Sequence, residues 1–311
     1  MPSADLAVYP DQFPRTAIRG PVRVREDVLF TGPKGEDKSA ARNRAEQALD
    51  NLQDILGKLL EPQEAVLYIA RAVAPLSFFE QFTLGWQAYH MYGTVLVFTN
   101  RRIIRFGVKG KGMRGWVWRG TLHSVLWGDI AEAKCKGFLS RTLRSKYRNG
   151  RKETYMRING TDAKKIRSLV AALLPVAATE ASAAQQMISH CPECVTPLAP
   201  RVYRCPQCQQ DFKTEKALLW RSILIPGGGY YYVGWKGFAI LFGLVELVLI
   251  FEIGSWVCIA LGIIPPPIGP NRTTAGDAMA VAGFLLAMFA LETLVVFLHM
   301  RRFVREFVPD R

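Results

Sequence analysis

The chain has little histidine: His90, His123, His190 and His299 are the only four in 311 residues, and none falls in a metalloprotease spacing. There is no GxxxxGK(S/T) phosphate loop and no G-x-S-x-G nucleophile turn. These absences remove the main sequence signatures of zinc proteases, P-loop NTPases and serine hydrolases, and no enzyme is expected. Residues 1–14 lack an apolar core and carry Asp5 and Asp11, so no secretory signal is read there and the N-terminus is expected in the cytoplasm. Cysteine is sparse too. Four of the six stand in two CPxC pairs, a spacing that suits metal thiolates in a reducing compartment better than disulfides. Acidic residues almost vanish from one stretch: residues 101–167 hold 19 Lys/Arg against 4 Asp/Glu, and the remainder holds 21 against 22. One segment thus supplies the whole +14 excess, which excludes a uniformly basic nucleic-acid coat.

Residues 1–37 are rich in Pro, Gly and charge and are expected to form a poorly ordered tail. Residues 38–60 read as an amphipathic helix, because Ala45, Leu49, Leu52, Leu56 and Leu59 recur at three- and four-residue steps before Pro62. The period then shortens. Strand-like runs cover 65–74, 94–98, 103–108, 116–118 and 122–127, and Asn149-Gly150 predicts a two-residue type I′ turn joining strands near 140–148 and 151–158. Thr161 reads as the N-cap of a helix whose Ile166, Leu169, Val170, Leu173 and Leu174 share one face. Many antiparallel strands closed by one helix predict an α+β barrel with a C-terminal helical cap over residues 61–175.

The successive segments VLVFTNRRIIRF, VLWGDIAEAK and TDAKKIRSLVAALL resemble the bacterial pleckstrin-homology-like domains. That resemblance covers roughly residues 60–175 and implies a small barrel that binds a lipid surface or a protein. Between its first two strands, Phe78, Phe79, Phe82, Trp86, Tyr89 and Tyr92 form a dense aromatic insert. Insertion at a bilayer interface and packing in the core are the two readings of it.

After a linker at 176–189, residues 190–213 include HCPECVTPLAPRVYRCPQCQQDF, which places Cys191, Cys194, Cys205 and Cys208 as C-x2-C-x10-C-x2-C. Two tight CPxC turns joined by a short hairpin aim four thiolates at one point, the coordination of structural zinc, and the segment resembles a zinc ribbon. Zn2+ is therefore the expected cofactor; two disulfides are the competing reading, which a cytoplasmic location opposes. Four thiolates leave no open position for catalysis. Residues 191–216 carry four cations against three acids, too little for phosphate binding, so nucleic acid is not an expected partner. His190 reads as a surface residue, and Cys135 and Cys258 as ordinary buried or lipid-facing thiols.

Two spans are read at 236–264 and 278–300, each long enough to cross a bilayer. Before them, residues 217–235 are broken by Pro226-Gly227-Gly228-Gly229 and hold Tyr230, Tyr231, Tyr232 and Trp235, which predicts an interfacial or re-entrant segment. Its P-G-x-G-x-x-Y-x-G pattern resembles a family of small two-span membrane modules. Arg221 and Lys236 precede the hairpin and residues 301–311 form a basic tail, so both ends are expected in the cytoplasm of a bacterial inner membrane. Asn271-Arg272-Thr273 is read as an accidental glycosylation sequon on the far side. Glu246, Glu252 and Glu292 fall inside the spans. By rise per residue, Glu246 lies about 15 Å beyond Lys236 and Glu292 about 14 Å before Arg301, so the two are expected at similar depth.

Candidate contacts to anionic lipid or an anionic partner are Arg101, Arg102, Arg105, Lys134, Lys136, Arg141, Arg144, Lys146, Arg148, Arg151 and Lys152. A merely solvated face is the competing reading. The chain is thus expected to be a multidomain, membrane-anchored adaptor or scaffold: a pleckstrin-homology-like barrel, a small zinc ribbon and an all-α transmembrane hairpin. Its partners are expected to be the anionic inner leaflet together with another protein or further copies of itself. The alternative is a subunit of a larger membrane complex or transporter that uses the intramembrane glutamates.

Overall fold

The computed structural model describes residues 16–32, 35–36, 39–110, 115–137, 140–176, 181–265 and 274–310. Its contacts divide the chain into two compact units, Met1–Gln210 and Asp211–Arg311.

The first unit opens with β1 (Thr16–Arg19), β2 (Val22–Arg25), a single turn α1 (Glu26–Leu29) and α2 (Ser39–Leu59). Then come β3 (Val66–Val73), α3 (Phe78–Leu84), α4 (Gln87–Met91), β4 (Gly93–Thr99), β5 (Arg102–Gly110) and β6 (Trp116–Leu126). After one 3-10 turn follow β7 (Ile130–Lys136), β8 (Arg141–Tyr147), β9 (Lys152–Ile158) and α5 (Gly160–Leu173). Strands β3–β6 form one antiparallel meander and β7–β9 a second, joined where Val73 faces Met156. Two short strands, β10 (Ile188–His190) and β11 (Pro197–Leu198), extend the first meander beyond β6.

The two meanders differ in burial for a reason visible in their sequences. On β4 and β5, Val95, Val97, Ile104, Phe106 and Val108 pack under α2, while Leu96, Phe98 and Ile103 face the interior closed by Ile166, Leu169 and Leu173 of α5. A strand covered on both faces must be apolar at consecutive positions, hence VLVF and the Ile103-Ile104 pair. In contrast, β7–β9 alternate buried with exposed residues, so their outer face is left to solvent. The stripe read on residues 38–60 is buried as expected, on the outer face of the first meander.

Several expectations need correction. Part of the expected N-terminal tail is ordered: the VRVR alternation of β2 buries Val22 and Val24, and β2 joins β3 in parallel at Val24 and Val66. Residues 1–15, 33–34 and 37 of that tail lie outside the described residues, as do residue 38 of the expected helix, Asn271-Arg272-Thr273 and most of the loop between the spans. The run at 116–118 and all of 122–127 but Trp127 belong to one strand, which passes through Gly120 at φ +85°; Trp127 opens the 3-10 turn that follows. The hairpin at Asn149-Gly150 is not type I′, because only Gly150 has positive φ. Gly150 N–H donates to Tyr147 O and Tyr147 N–H to Arg151 O, a three-residue loop ending in a left-handed glycine. Asn159, not Thr161, caps α5, its side chain accepting from Thr161 N–H.

The second unit holds α6 (Glu215–Leu224), α7 (Gly228–Val233), α8 (Lys236–Ala260) and α9 (Ala275–Arg305). Helices α8 and α9 pack together and are both long and apolar enough to cross a membrane. The segment between α6 and α8 turns at Pro226-Gly227 and packs against α8, and glycine is required there. Gly227 sits at φ +69°, and a Cβ on it would lie 2.0 Å from Ala239 O. The ends of the unit are tied together: Phe212 bridges Pro309, and Arg301 and Arg305 both reach Glu215 at 2.7 Å.

Candidate metal centre and cationic face

Cys191 directly follows β10, so the first CPxC turn starts from a strand end, while Cys205 stands seven residues beyond β11. The turns repeat one local geometry. Val195 N–H donates to Cys191 O, and Gln209 N–H donates to Cys205 O. Val195 and Gln209, at equivalent places, hold φ of +56° and +61°. Keeping non-glycine residues there costs about 1–2 kcal/mol each, most strikingly out of character for β-branched Val195. The result is four sulfurs all within 4.8 Å of one another, with Cys191–Cys208 and Cys194–Cys205 both at 3.5 Å. Metal–sulfur bonds of about 2.3 Å in a tetrahedron need sulfur separations of about 3.8 Å. The set therefore fits a single metal ion, and no disulfide joins any cysteine. Burial pushes the Cys191 thiol up to about 12; at Cys194 burial also acts upward, but the Thr196 hydroxyl and backbone outweigh it and bring the thiol to about 6.

His190 is not a surface residue. Its ring is buried, pairing with Ser124 Oγ at 2.8 Å and Val195 O at 3.0 Å, so it ties the first CPxC turn to β6. Beside it, His123 pairs with Ser189 Oγ at 3.0 Å. Burial, reinforced by Arg105, holds the His123 imidazole well below its ordinary range. The folded chain then binds fewer protons than the unfolded one, so stability is complete above about pH 6.5 and is lost as pH falls below it. We expect a slope approaching about 1.4 kcal/mol per pH unit from this residue, reduced in His123→Gln when unfolding midpoints are compared between pH 7 and about 5.5.

The eleven cations read as candidate contacts are not equivalent. Arg102 and Arg105 are buried. Arg102 grips Glu64, with Nη2–Oε2 at 2.6 Å and Nε–Oε1 at 2.9 Å, and Thr99 Oγ1 donates to the same carboxylate at 2.6 Å. Arg101 pairs with Glu61, Arg148 donates to Gly128 O, and Arg151 lies 3.7 Å from Glu153. Arg141 is half-buried at the start of β8, against Gly160. The remaining five, Lys134, Lys136, Arg144, Lys146 and Lys152, all project from the exposed face of β7–β9. Register sets Lys134 opposite Arg144 and Lys146 opposite Lys152. They line a hollow of about 340 Å³ whose one exposed acid is Glu132, paired with Lys134.

The aromatic insert splits between the two readings. Tyr92 is core, whereas Phe78, Phe82 and Trp86 are 84, 79 and 68% exposed. A Ser77/Glu80 capping box holds α3 in place, so the exposure is built in. Because β3 and β9 run antiparallel, the chain leaves β3 for α3 on the side where β9 begins with Lys152. Sequence reasoning missed the interior: Glu153 is buried and accepts from both Tyr147 and Tyr155 hydroxyls at 2.8 Å. Alternation along β9 was the available signal.

In the second unit, Glu246 is buried and its Oε2 accepts from Gly227 N–H at 2.8 Å. Both oxygens of Glu292 are buried without a hydrogen-bond partner. Glu252 is exposed. Cys135 is buried and Cys258 half-buried.

No protein-family profile matches the chain, and no curated protein matches it. Among solved structures, the crystal structure of a pleckstrin homology domain from Shewanella amazonensis SB2B is similar at 17% identity, covering 41% of this chain and 98% of that one, with a TM-score of 0.27. Such a likeness assigns no function. The two-meander, helix-capped architecture rests on the strand order itself.

Proposed function

We propose that the protein is a membrane-anchored adaptor whose pleckstrin-homology-like domain docks on an anionic bilayer surface. One observation carries this reading: like charges stand directly opposite each other on an exposed sheet face. Such pairs destabilise a sheet by tenths of a kcal/mol to about 1 kcal/mol each; Glu132, paired with Lys134 and opposite Lys146, offsets part of this, and a polyanionic surface would turn the rest into a gain. The exposed aromatics of α3 supply groups that favour the bilayer interface. Helices α8 and α9 anchor the chain, and the cations at the ends of the hairpin favour cytoplasmic termini. The four cysteines hold structural Zn2+, whose role is to fold the hairpin that prolongs the sheet past β6.

The reading assigns the chain no catalytic step. Vesicle cosedimentation of the Met1–Gln210 unit tests it. Replacing Lys134, Arg144, Lys146 and Lys152 by Gln should weaken binding to phosphatidylglycerol vesicles by about 4 kcal/mol at low salt, near a thousandfold. Equal binding by the variant would remove the proposal. A second reading, assembly or ion handling in a larger complex, draws on Glu292, whose buried carboxylate without a partner is costly in a bilayer. Glu246→Gln and Glu292→Gln would then alter oligomeric state, read by size-exclusion in detergent.

A further inference from the structure

Strand β7 ends the sheet order, so one of its edges has no strand neighbour among the described residues. Along it the side chains alternate: Ala133 and Cys135 face inward, Lys134 and Lys136 outward. Between this edge and α5 lies an open, largely apolar hollow of about 310 Å³, bounded by Ala133, Cys135, Val170 and Leu174, with Arg167 at its rim and no acidic residue in its lining. Arg167 Nη2 donates to Cys135 O at 3.1 Å, so that carbonyl points away from β8. By the two-residue period, the backbone N–H and C=O of Ala133 point the same way.

We propose that the β7 edge docks an extended peptide of alternating apolar and acidic residues, which adds to β7–β9 as a further strand. Its backbone pairs with Ala133 and Cys135. Its apolar side chains enter the hollow against α5, and its acidic ones lie across from Lys134 and Lys136 on the outer face. Arg167 gives up the Cys135 carbonyl to the incoming N–H and turns to an acidic side chain at the rim. Charge selects this occupant over a second copy of the chain: two β7 edges would set Lys134 and Lys136 against themselves, the device by which sheets discourage self-pairing. The inference rests on the edge and the hollow and stands apart from the lipid reading, although both use Lys134 and Lys136.

The test uses the full chain in phosphatidylcholine nanodiscs and a short fluorescent peptide alternating Glu and Val, with binding read by anisotropy. Ala133→Pro removes only an outward N–H and blocks strand addition. Ala171→Trp, at an exposed position lining the hollow, fills it without touching the core. Each should weaken the peptide by about tenfold or more while leaving phosphatidylglycerol vesicle binding unchanged. A peptide of the same composition with its valines grouped together, or with Lys in place of Glu, should bind at least about tenfold less well. Equal binding of the grouped peptide, indifference to both substitutions, no binding at all, or a dimer that Ala133→Pro dissociates would overturn the proposal. Failure of the unsubstituted chain to bind phosphatidylglycerol vesicles, with the peptide bound and weakened by both substitutions as expected, would count against the lipid reading alone.

Discussion

Cys205→Ala should empty the metal site and unfold the hairpin around it. The wild-type chain is expected to carry one zinc, measured by elemental analysis, and the variant none. The size of the effect follows from what else holds residues 191–208 in place. Cys191 and Cys205 are the buried anchors, and Val195 and Gln209 are held in an unfavourable left-handed backbone. Apparent zinc-binding energies of about 10–16 kcal/mol exceed what so short a hairpin gains by packing. Losing the metal frees Val195 O from His190, and with it the Ser124–His190 contact between β10 and β6. Chelation should therefore raise amide exchange in Ile188–His190 as well as in the hairpin. A metal-free chain with the same protection would show that β10 stands without the ion.

Arg102→Met should destabilise the first unit by about 3–5 kcal/mol, lowering its melting temperature by roughly 10 °C. Glu64 is buried completely and depends on Arg102, Thr99 and the backbone N–H of Glu61 to offset the cost of taking its carboxylate out of water. Removing the guanidinium leaves that charge stranded. Replacing both partners removes the stranded charge, so Glu64→Gln with Arg102→Met should recover much of the loss. Additive losses would mean that the pair acts through packing alone.

Much of this architecture was legible because burial writes itself into period. The stripe from Ala45 to Leu59 and the face from Ile166 to Leu173 follow helical spacing, and the apolar runs at 94–98 and 103–108 marked β4 and β5 as strands. The CPxC pairs were legible for chemical reasons, since two turns at fixed spacing bring four sulfurs together whatever surrounds them. What stayed hidden depends on strand register. Counting charge marked residues 101–167 as basic, but could not separate Arg102, turned inward to Glu64, from Lys134 and Arg144, set opposite each other on an open face. For the same reason the aromatic insert left two readings open, and only the fold divides buried Tyr92 from exposed Phe78, Phe82 and Trp86. Composition also concealed β2, where two valines suffice to join β3 inside a Pro- and Gly-rich segment.

The central claim is that the anchored domain lies on its own bilayer, and Trp86 is the place to read it. In proteoliposomes with acyl-brominated lipids, the difference in tryptophan quenching between wild type and Trp86→Phe isolates this one ring. With anionic headgroups at low salt, Trp86 should be quenched, and both raised salt and purely zwitterionic lipid should release it. A Trp86 signal that stays unquenched in anionic bilayers would contradict the account.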